Sequence, residues 1–385
     1  MRIGLSRFGY PEKRCITGTS HYETVNLRNF NAARYLSFIK QKLSIPQDMY
    51  KFHPFYERKD IDAYLFFNDV SPTRKNWVSI FETMIPRHHS VIDFHRFNSI
   101  DAAFLSNASL KGRIATMAND SCLGINALSE SAKKIQLALL DFYPEYKEKI
   151  ANKLTVTHAP QELIHNSVEK NFNDCLEFIY IGRDFYRKGG AEAVLAFDEL
   201  VNEGILGHSD FKLTLIGSFD LRSNYALGKF DDSTEFHSRV EKIIDNHPSM
   251  TMLKEVPNQQ VIEMIKNHHV GLLPTWADTY GYSVLEMQAA GLPVITTDVR
   301  ALPEINYSDL LIPVEQNQFK EIVVTSNQSR EEHRRIIIDG IKERVKAVFD
   351  DRSLISNPNT LLDKMKQHHD PETYYAALYK QISQR

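Results

Sequence analysis

An α/β protein of two domains is the fold class this sequence predicts, and three observations carry it. Apolar runs of strand length alternate with helical stretches from Leu176 to Ile312, which implies a parallel sheet. A similar series of apolar runs lies between Met1 and Thr157. At 385 residues the chain is long for one domain, and two is the natural division.

Taken in order, residues 1–8 read as a first strand and Asn29–Lys42 as a helix. Ala63–Phe67, Trp77–Phe81, Gly112–Ala115 and Cys122–Asn126 read as buried strands. Ser129 caps an amphipathic helix, Glu130–Leu140, with Lys133 and Lys134 on its polar face. Leu154–Thr157 closes the first sheet, and a polar linker runs from Pro160 to Asn173. Beyond it come a strand from Leu176 with a tight loop, a strand Phe211–Ser218, and a helix Asn258–Lys266 with Asn258 as its N-cap. A buried strand at Val270–Pro274 and a helix from Tyr282 to Ala290, stopped by Gly291, follow. A charged helix over Ser329–Asp350 and an aromatic-rich segment, Pro371–Ser383, end the chain. The expected domains are 1–165 and 166–365, with 366–385 as a C-terminal helix.

Two stretches carry chemistry. In Trp276-Ala-Asp278-Thr-Tyr-Gly281-Tyr282-Ser283-Val284-Leu-Glu286, two carboxylates lie eight positions apart around a glycine and a helix start. Free N–H groups and the helix dipole favour an anion at such a start, and Gly281 lets a ligand approach. Asp278 precedes that anion site, and Glu286 lies about one and a half turns into the helix. Two acceptors flanking a phosphate site suit a nucleotide-sugar, one on sugar hydroxyls and the other on ribose hydroxyls. In Leu176-Glu-Phe-Ile-Tyr-Ile-Gly182-Arg183-Asp-Phe-Tyr-Arg187-Lys188-Gly189-Gly190, Arg183 and Lys188 fall at the C-terminal end of a strand, where α/β sheets bind ligands. The plain alternatives are a strand-loop-helix with two surface acids and a basic surface loop.

The acid-bearing stretch resembles the signature of the GT-B retaining glycosyltransferases, family 4 in particular: Glu, seven residues, Glu, then Gly-x-Pro-Val. Asp278 stands where that signature has its first Glu, one methylene shorter. The Gly182-Arg183 to Lys188-Gly189 stretch resembles the family's Gly-Arg, short loop, Lys-Gly, and implies that Arg183 and Lys188 clamp the donor diphosphate. Phe211–Ser218 with Gly217, the Met252–Asn258 segment, and Thr296–Ile305 with its Glu304-Ile305 ending also match. The resemblance covers about residues 176–313. It implies GT-B architecture, two Rossmann-like domains with a cleft between them, and a C-terminal helix crossing back to the first domain. It places Leu253, Lys254 and Val256 at the nucleobase and Gly9 of Ser6-Arg7-Phe8-Gly9-Tyr10 against the diphosphate. It also implies that Glu82, after Trp77–Phe81, replaces the His of many relatives near the reacting carbon. His95 is the rival. Each has a bland reading, as a strand-end acid and as a hydrogen-bonded buried His.

Composition narrows the classes. Hydrophobic content of 42% and charged content of 25% are those of a globular chain, and no apolar run approaches the ~18 residues of a membrane span. Met1-Arg-Ile-Gly-Leu reads as a strand rather than a signal peptide. Three scattered cysteines, Cys15, Cys122 and Cys175, point to a reducing, cytoplasmic setting and no zinc site. Asp60-Ile-Asp62 precedes its strand, which makes it a chance match to metal-binding Asp-x-Asp. The pairs His88-His89, His268-His269 and His368-His369 are expected to point their side chains apart, so no metal or other cofactor is expected. Residues 1–165 carry 22 Lys and Arg against 16 Asp and Glu, whereas 166–385 carry 24 against 33. The basic half suits peripheral contact with an anionic membrane or a lipid-diphosphate acceptor, and solvated surface charge explains the same counts. Nucleic acid is excluded as a partner by the absence of a basic stripe.

The resemblance thus implies a retaining hexosyltransferase that uses a UDP-sugar, or else a GDP-sugar, as donor and a glycan or lipid-linked saccharide as acceptor, as in cell-surface polysaccharide synthesis. Two alternatives stay open: a nucleotide-sugar 2-epimerase of the same architecture, and a non-catalytic nucleotide-sugar-binding partner. The first predicts product from donor alone. The second predicts donor binding without turnover.

Overall fold

The computed structural model describes residues 1–42, 51–89, 91, 93–97, 107–165 and 175–383. The chain divides into two compact units, Met1–Pro160 with His369–Arg385, and Gln161–His368. Of the linker expected over Pro160–Asn173, residues 166–173 lie outside the described residues.

Each unit is built on one six-stranded parallel sheet. In the first, β1 (Arg2–Leu5), β2 (Glu23–Asn26), β3 (Ala63–Phe67), β4 (Trp77–Phe81), β5 (Cys122–Ala127) and β6 (Leu154–Val156) run in the order β2-β1-β3-β4-β5-β6. Their registers pair Ile3 with Ala63, Leu65 with Val78, and Ile125 with Leu154. The strands β3 and β4 are buried at every position, as expected of central strands covered on both faces. The helix Pro371–Ser383 belongs to this unit: Gln381 meets Asn126 of β5, and the Tyr375 hydroxyl donates to the Arg14 carbonyl at 3.0 Å.

In the second unit, β7 (Leu176–Asp184), β8 (Phe211–Ser218), β9 (Met250–Leu253), β10 (Val270–Leu273), β11 (Val294–Thr297) and β12 (Leu311–Ile312) run β12-β11-β10-β7-β8-β9. Phe178 pairs with Val270 on one side of β7 and with Leu213 on the other. The chain therefore starts in mid-sheet, winds outward through β8 and β9, then returns to β10 on the other side. The reversal between β7 and β10 leaves the loops after these strands adjacent, the place where open α/β sheets form a binding crevice. In the first unit the reversal falls between β1 and β3.

Several elements differ from the sequence reading. Gly112–Ala115 is not a strand but part of a helix, Ala108–Ala118, capped by Asn107, whose side chain accepts from the Ser109 and Leu110 N–H groups. Its buried residues Leu110, Arg113, Ile114 and Met117 follow helical spacing, which a four-residue window conceals. The helix at Asn258–Asn267 takes Pro257 as its N-cap, so Asn258 is its first residue and caps nothing. His88 and His89 do not diverge, because they lie in a turn rather than a regular element, and their ring centroids are 4.3 Å apart. The other two pairs do part. His268 bonds to Met264 and Thr214 while His269 accepts from the Glu177 N–H; His368 stacks on Tyr307 while His369 meets the Ala159 carbonyl.

Candidate functional site

The second unit joins its two crevice loops through side chains and backbone alike. After β7 the chain turns tightly: the Lys188 N–H donates to Asp184, the Gly190 N–H donates to Phe185, and Gly189 caps the helix Gly190–Asn202. Gly189 has φ +81°, and a Cβ there would run into the Pro274 carbonyl of the β10 loop, so glycine is required twice over. The Arg187 carbonyl accepts from the Trp276 N–H at 3.0 Å and the Thr275 hydroxyl at 3.2 Å. Its guanidinium bonds Asp184 and donates to the Ala277 carbonyl at 2.8 Å.

The loops present charge where they meet. Lys188 and Asp278 form an ion pair, both largely buried. Burial pushes Asp278 up, but Lys188 and then Arg187 outweigh it and hold its carboxyl below the usual range. Burial also lowers Lys188, against the pull of Asp278. The sequence indicated these as separate ligands, and the structure adds that each already holds the other. Arg183 stands on β7 with its side chain exposed, and it forms no hydrogen bond or ion pair among the described residues. Gly281 follows with φ +97° and caps the helix Tyr282–Ala289. The Val284 N–H is taken by the Gly281 carbonyl at 2.9 Å, and the Ser283 N–H makes no hydrogen bond among the described residues. Glu286 is half-buried on this helix.

The remaining predicted positions of this unit ring the same end of the sheet. A Cβ at Gly217 would meet the Gly182 carbonyl, which places the ends of β7 and β8 in close approach. Leu253 ends β9. Lys254 follows with its ammonium 5.3 Å from the Phe219 ring centroid, and Val256 is half-buried beyond it. Phe219 in turn packs edge-on against Phe185 at 4.9 Å.

Sequence reasoning missed the support under the β10 loop. Trp276 is buried edge-on to His333, with the Arg334 guanidinium 5.8 Å from its ring centroid. Arg334 is fixed by Glu192 at 3.2 Å, Asp232 at 2.5 Å and Glu331 at 2.7 Å. These partners are spread over positions 192–334, so no local motif announces them.

The first unit has its own pair at its reversal point, also missed. Asp69, fully buried after β3, accepts from Ser6 at 2.5 Å and from Arg7 through both oxygens at 2.8 and 2.9 Å. Burial pushes Asp69 up despite Arg7. Glu12, raised by burial as well, accepts from the Gly9 N–H at 3.0 Å and lies 3.6 Å from Arg7. Asn68 at φ +63° was the available signal, since non-glycine residues rarely adopt that region. Glu82 follows β4 and pairs with Arg87 at 3.6 Å, while His95 is buried in the short helix Phe94–Phe97. Asp60 is engaged by Arg2 and Arg58. No group of three His, Cys, Asp or Glu among the described residues is placed to hold a metal ion.

Residues 164–341 match the family described as Glycosyl transferases group 1. This segment, somewhat under half of the chain, is similar to the group 1 glycosyltransferases. Arg183, Lys188, Asp278 and Glu286 fall within it, and Gly9 and Glu82 fall outside. The chain is similar to the capsular polysaccharide biosynthesis glycosyltransferase CapM of Staphylococcus aureus, with 27% identity over 42% of this chain and 39% of that protein. It is also similar to the phosphatidylinositol N-acetylglucosaminyltransferase GPI3 subunit of Saccharomyces cerevisiae, with 19% identity over 52% and 41%. The match thus spans about two fifths of the length of these curated relatives. Among solved structures, a sucrose-phosphate synthase from Thermosynechococcus elongatus has a TM-score of 0.57 at 12% identity, covering 99% of this chain and 88% of that one. A glycosyltransferase from Rickettsia africae has a TM-score of 0.52 at 13% identity, covering 94% and 85%. At such identities the likeness speaks for the fold, and the fold is GT-B.

Proposed function

We propose that the chain is a retaining glycosyltransferase. It moves a hexosyl unit from a nucleotide-sugar, a UDP-sugar before a GDP-sugar, to a glycan or lipid-linked saccharide in polysaccharide assembly. One observation carries this reading. At the β7/β10 reversal, a buried Lys188–Asp278 pair and an exposed Arg183 share a sheet end with the N-terminus of the helix Tyr282–Ala289. Cations and N–H groups fixed in one place suit a diphosphate, whose charge grows as it departs. The polysaccharide context rests on the name of the CapM relative.

In the proposed reaction Arg183 and Lys188 receive the diphosphate oxygens, and the Tyr282 and Ser283 N–H groups share the charge. The bond from the anomeric carbon to the phosphate oxygen breaks. The acceptor hydroxyl bonds to the same face of the sugar, and its proton passes to the departing phosphate oxygen. Asp278 holds Lys188 through one oxygen and keeps the other, which faces the Tyr280 N–H at 3.4 Å, for a sugar hydroxyl. Glu286 accepts from the ribose hydroxyls. Glu82 or His95 faces the reacting carbon. Charge stabilisation comes from these groups without a metal.

The test is to incubate the protein with UDP- and GDP-sugars and saccharide acceptors, follow nucleoside diphosphate release, and assign the new linkage by NMR. An α-linked donor is expected to give an α-linked product. A β-linkage overturns retention, product formed from donor alone supports the epimerase, and binding without turnover on any acceptor supports the non-catalytic partner.

A further inference from the structure

The helix Ala32–Lys42 leaves an apolar face uncovered. Tyr35, Leu36, Phe38 and Ile39 on it, with Phe55 and Tyr56 beside it, are large apolar side chains, the least exposed of them Tyr35 at 46% and the most exposed Tyr56 at 64%. They form one surface: Tyr35 and Phe55 have ring centroids 5.6 Å apart, Phe30 and Tyr56 are 5.0 Å apart, and the Phe55 N–H donates to the Phe30 carbonyl. At 100° per residue, Phe38, Ile39, Tyr35 and Leu36 fall within one side of the helix, and Arg34 borders it. Contiguous exposed apolar patches of this kind mark contact with a partner or a membrane.

Charge decides between them. The helix sequence holds no Asp or Glu. Two cations lie over the rings of the patch, Lys42 over Phe38 at 4.9 Å and Arg34 over Tyr35 at 5.9 Å, while Arg58, 5.3 Å from the Phe30 centroid, is paired with Asp60. Among the described residues, Asp60 beside the patch is paired with Arg2 and Arg58, and Glu57 accepts from the Tyr64 and Thr73 hydroxyls. Cations on long stems above an aromatic and aliphatic face can reach phosphate headgroups while the face enters the acyl boundary. Among the described residues no helix is long and apolar enough to cross a membrane, so attachment here would be by surface.

We infer that this face docks on an anionic phospholipid membrane. The inference goes beyond the sugar-transfer reading and does not depend on it. The experiment is co-sedimentation of the purified chain with phosphatidylcholine vesicles, with and without phosphatidylglycerol, at low and high salt. The wild type is expected in the pellet with phosphatidylglycerol vesicles and less so as salt rises. Leu36→Asp with Ile39→Asp removes apolar insertion and should lower partitioning roughly tenfold or more on either vesicle. Arg34→Glu with Lys42→Glu should lower it only where phosphatidylglycerol is present. All four side chains are exposed, so melting temperature should stay level and report intact folding. Wild type left in the supernatant with both vesicles overturns the inference, as does either double variant that partitions like wild type on phosphatidylglycerol vesicles. So does a wild-type dimer that the apolar variant turns into monomer, since the face then belongs to a second copy. Calorimetry with UDP and GDP on the same samples keeps the two readings apart: failure of vesicle binding with nucleotide binding intact sinks the membrane surface alone.

Discussion

Both units reverse their winding once, and each places an acid–base pair at the reversal, yet the two pairs are built for different ends. At the β7/β10 reversal Lys188 and Asp278 are both largely buried, and Lys188 and Arg187 hold Asp278 below its usual range. At the β1/β3 reversal Asp69 is fully buried and pushed up, and its partner Arg7 stays 35% exposed. In the second unit the pair sits beside a helix N-terminus and an exposed Arg183 that forms no hydrogen bond or ion pair among the described residues. In the first, Asp69 is saturated by Ser6 and both Arg7 contacts, and Glu12 closes the Gly9 N–H. The same topology thus gives a mutually held pair beside an exposed cation in one unit, the pair proposed to receive an anion, and a loop-fixing pair in the other.

Lys188→Ala should show the largest effect. It removes a diphosphate cation, for a loss of roughly a hundredfold or more in turnover. It also strands Asp278 as an unpaired buried charge, at a cost of about 3–5 kcal/mol. Arg183→Ala separates the two losses. Turnover should fall on the order of a hundredfold, while thermal unfolding stays within about 0.5 kcal/mol of wild type because the side chain is exposed and forms no hydrogen bond or ion pair among the described residues. Full activity in both variants would remove the anion-receiving role from this pair.

Asp69→Ala should be mainly a stability variant. It leaves Ser6 and Arg7 without their partner, and because Arg7 is partly solvated the cost is about 2 kcal/mol. Affinity for the nucleoside diphosphate, measured by calorimetry, should not change. A drop in that affinity would erase the contrast and put the first unit's pair in the donor site too.

Glu286→Gln tests the ribose role. Losing a charge-assisted hydrogen bond should weaken UDP or GDP binding by about 1.5–3 kcal/mol. Glu286 is half-buried, so the melting temperature is measured alongside to separate a folding loss from a binding loss. Unchanged affinity for the nucleotide that wild type binds rejects the assignment.

The contrast also explains what could be read from the chain alone. Gly182 to Gly190 and Asp278 to Glu286 are each contiguous, so glycines, charges and helix start lie within one window, and their spacing was legible. That Lys188 and Asp278 hold one another was not, because it depends on β7 and β10 being neighbours. The Arg7–Asp69 contact spans 62 positions with no glycine-rich turn to flag it, and only sheet order brings it together. Alternating strands and helices gave the parallel sheets, whereas Gly112–Ala115 was misjudged because four apolar-rich residues fit either period until Asn107 is seen to cap a helix. The Trp276–Arg334 support was illegible for the same reason as Arg7, since its acids come from distant segments.

The smallest expected effect is in the pH dependence, where the two pairs should move in opposite directions. Asp278 has a folded pKa below its ordinary 3.8. The unfolded chain then binds the proton more tightly, so its contribution is complete above 3.8 and is lost as pH falls through the lower folded value. Asp69 has a folded pKa above 3.8, so the folded state binds the proton more tightly. Its contribution is complete below 3.8 and is lost as pH rises through the higher folded value. Asn cannot titrate, so each Asn variant removes one of these slopes. The gap in melting temperature between wild type and Asp278→Asn should narrow as pH falls below 3.8. Asp69→Asn should instead gain on wild type as pH rises from that value. Melting curves of the three proteins across the acid range decide it. Parallel curves for the two variants would mean that the pairs are electrostatically alike, and the distinction between a receiving pair and a fixing pair would then rest on Arg183 and the neighbouring helix N-terminus alone.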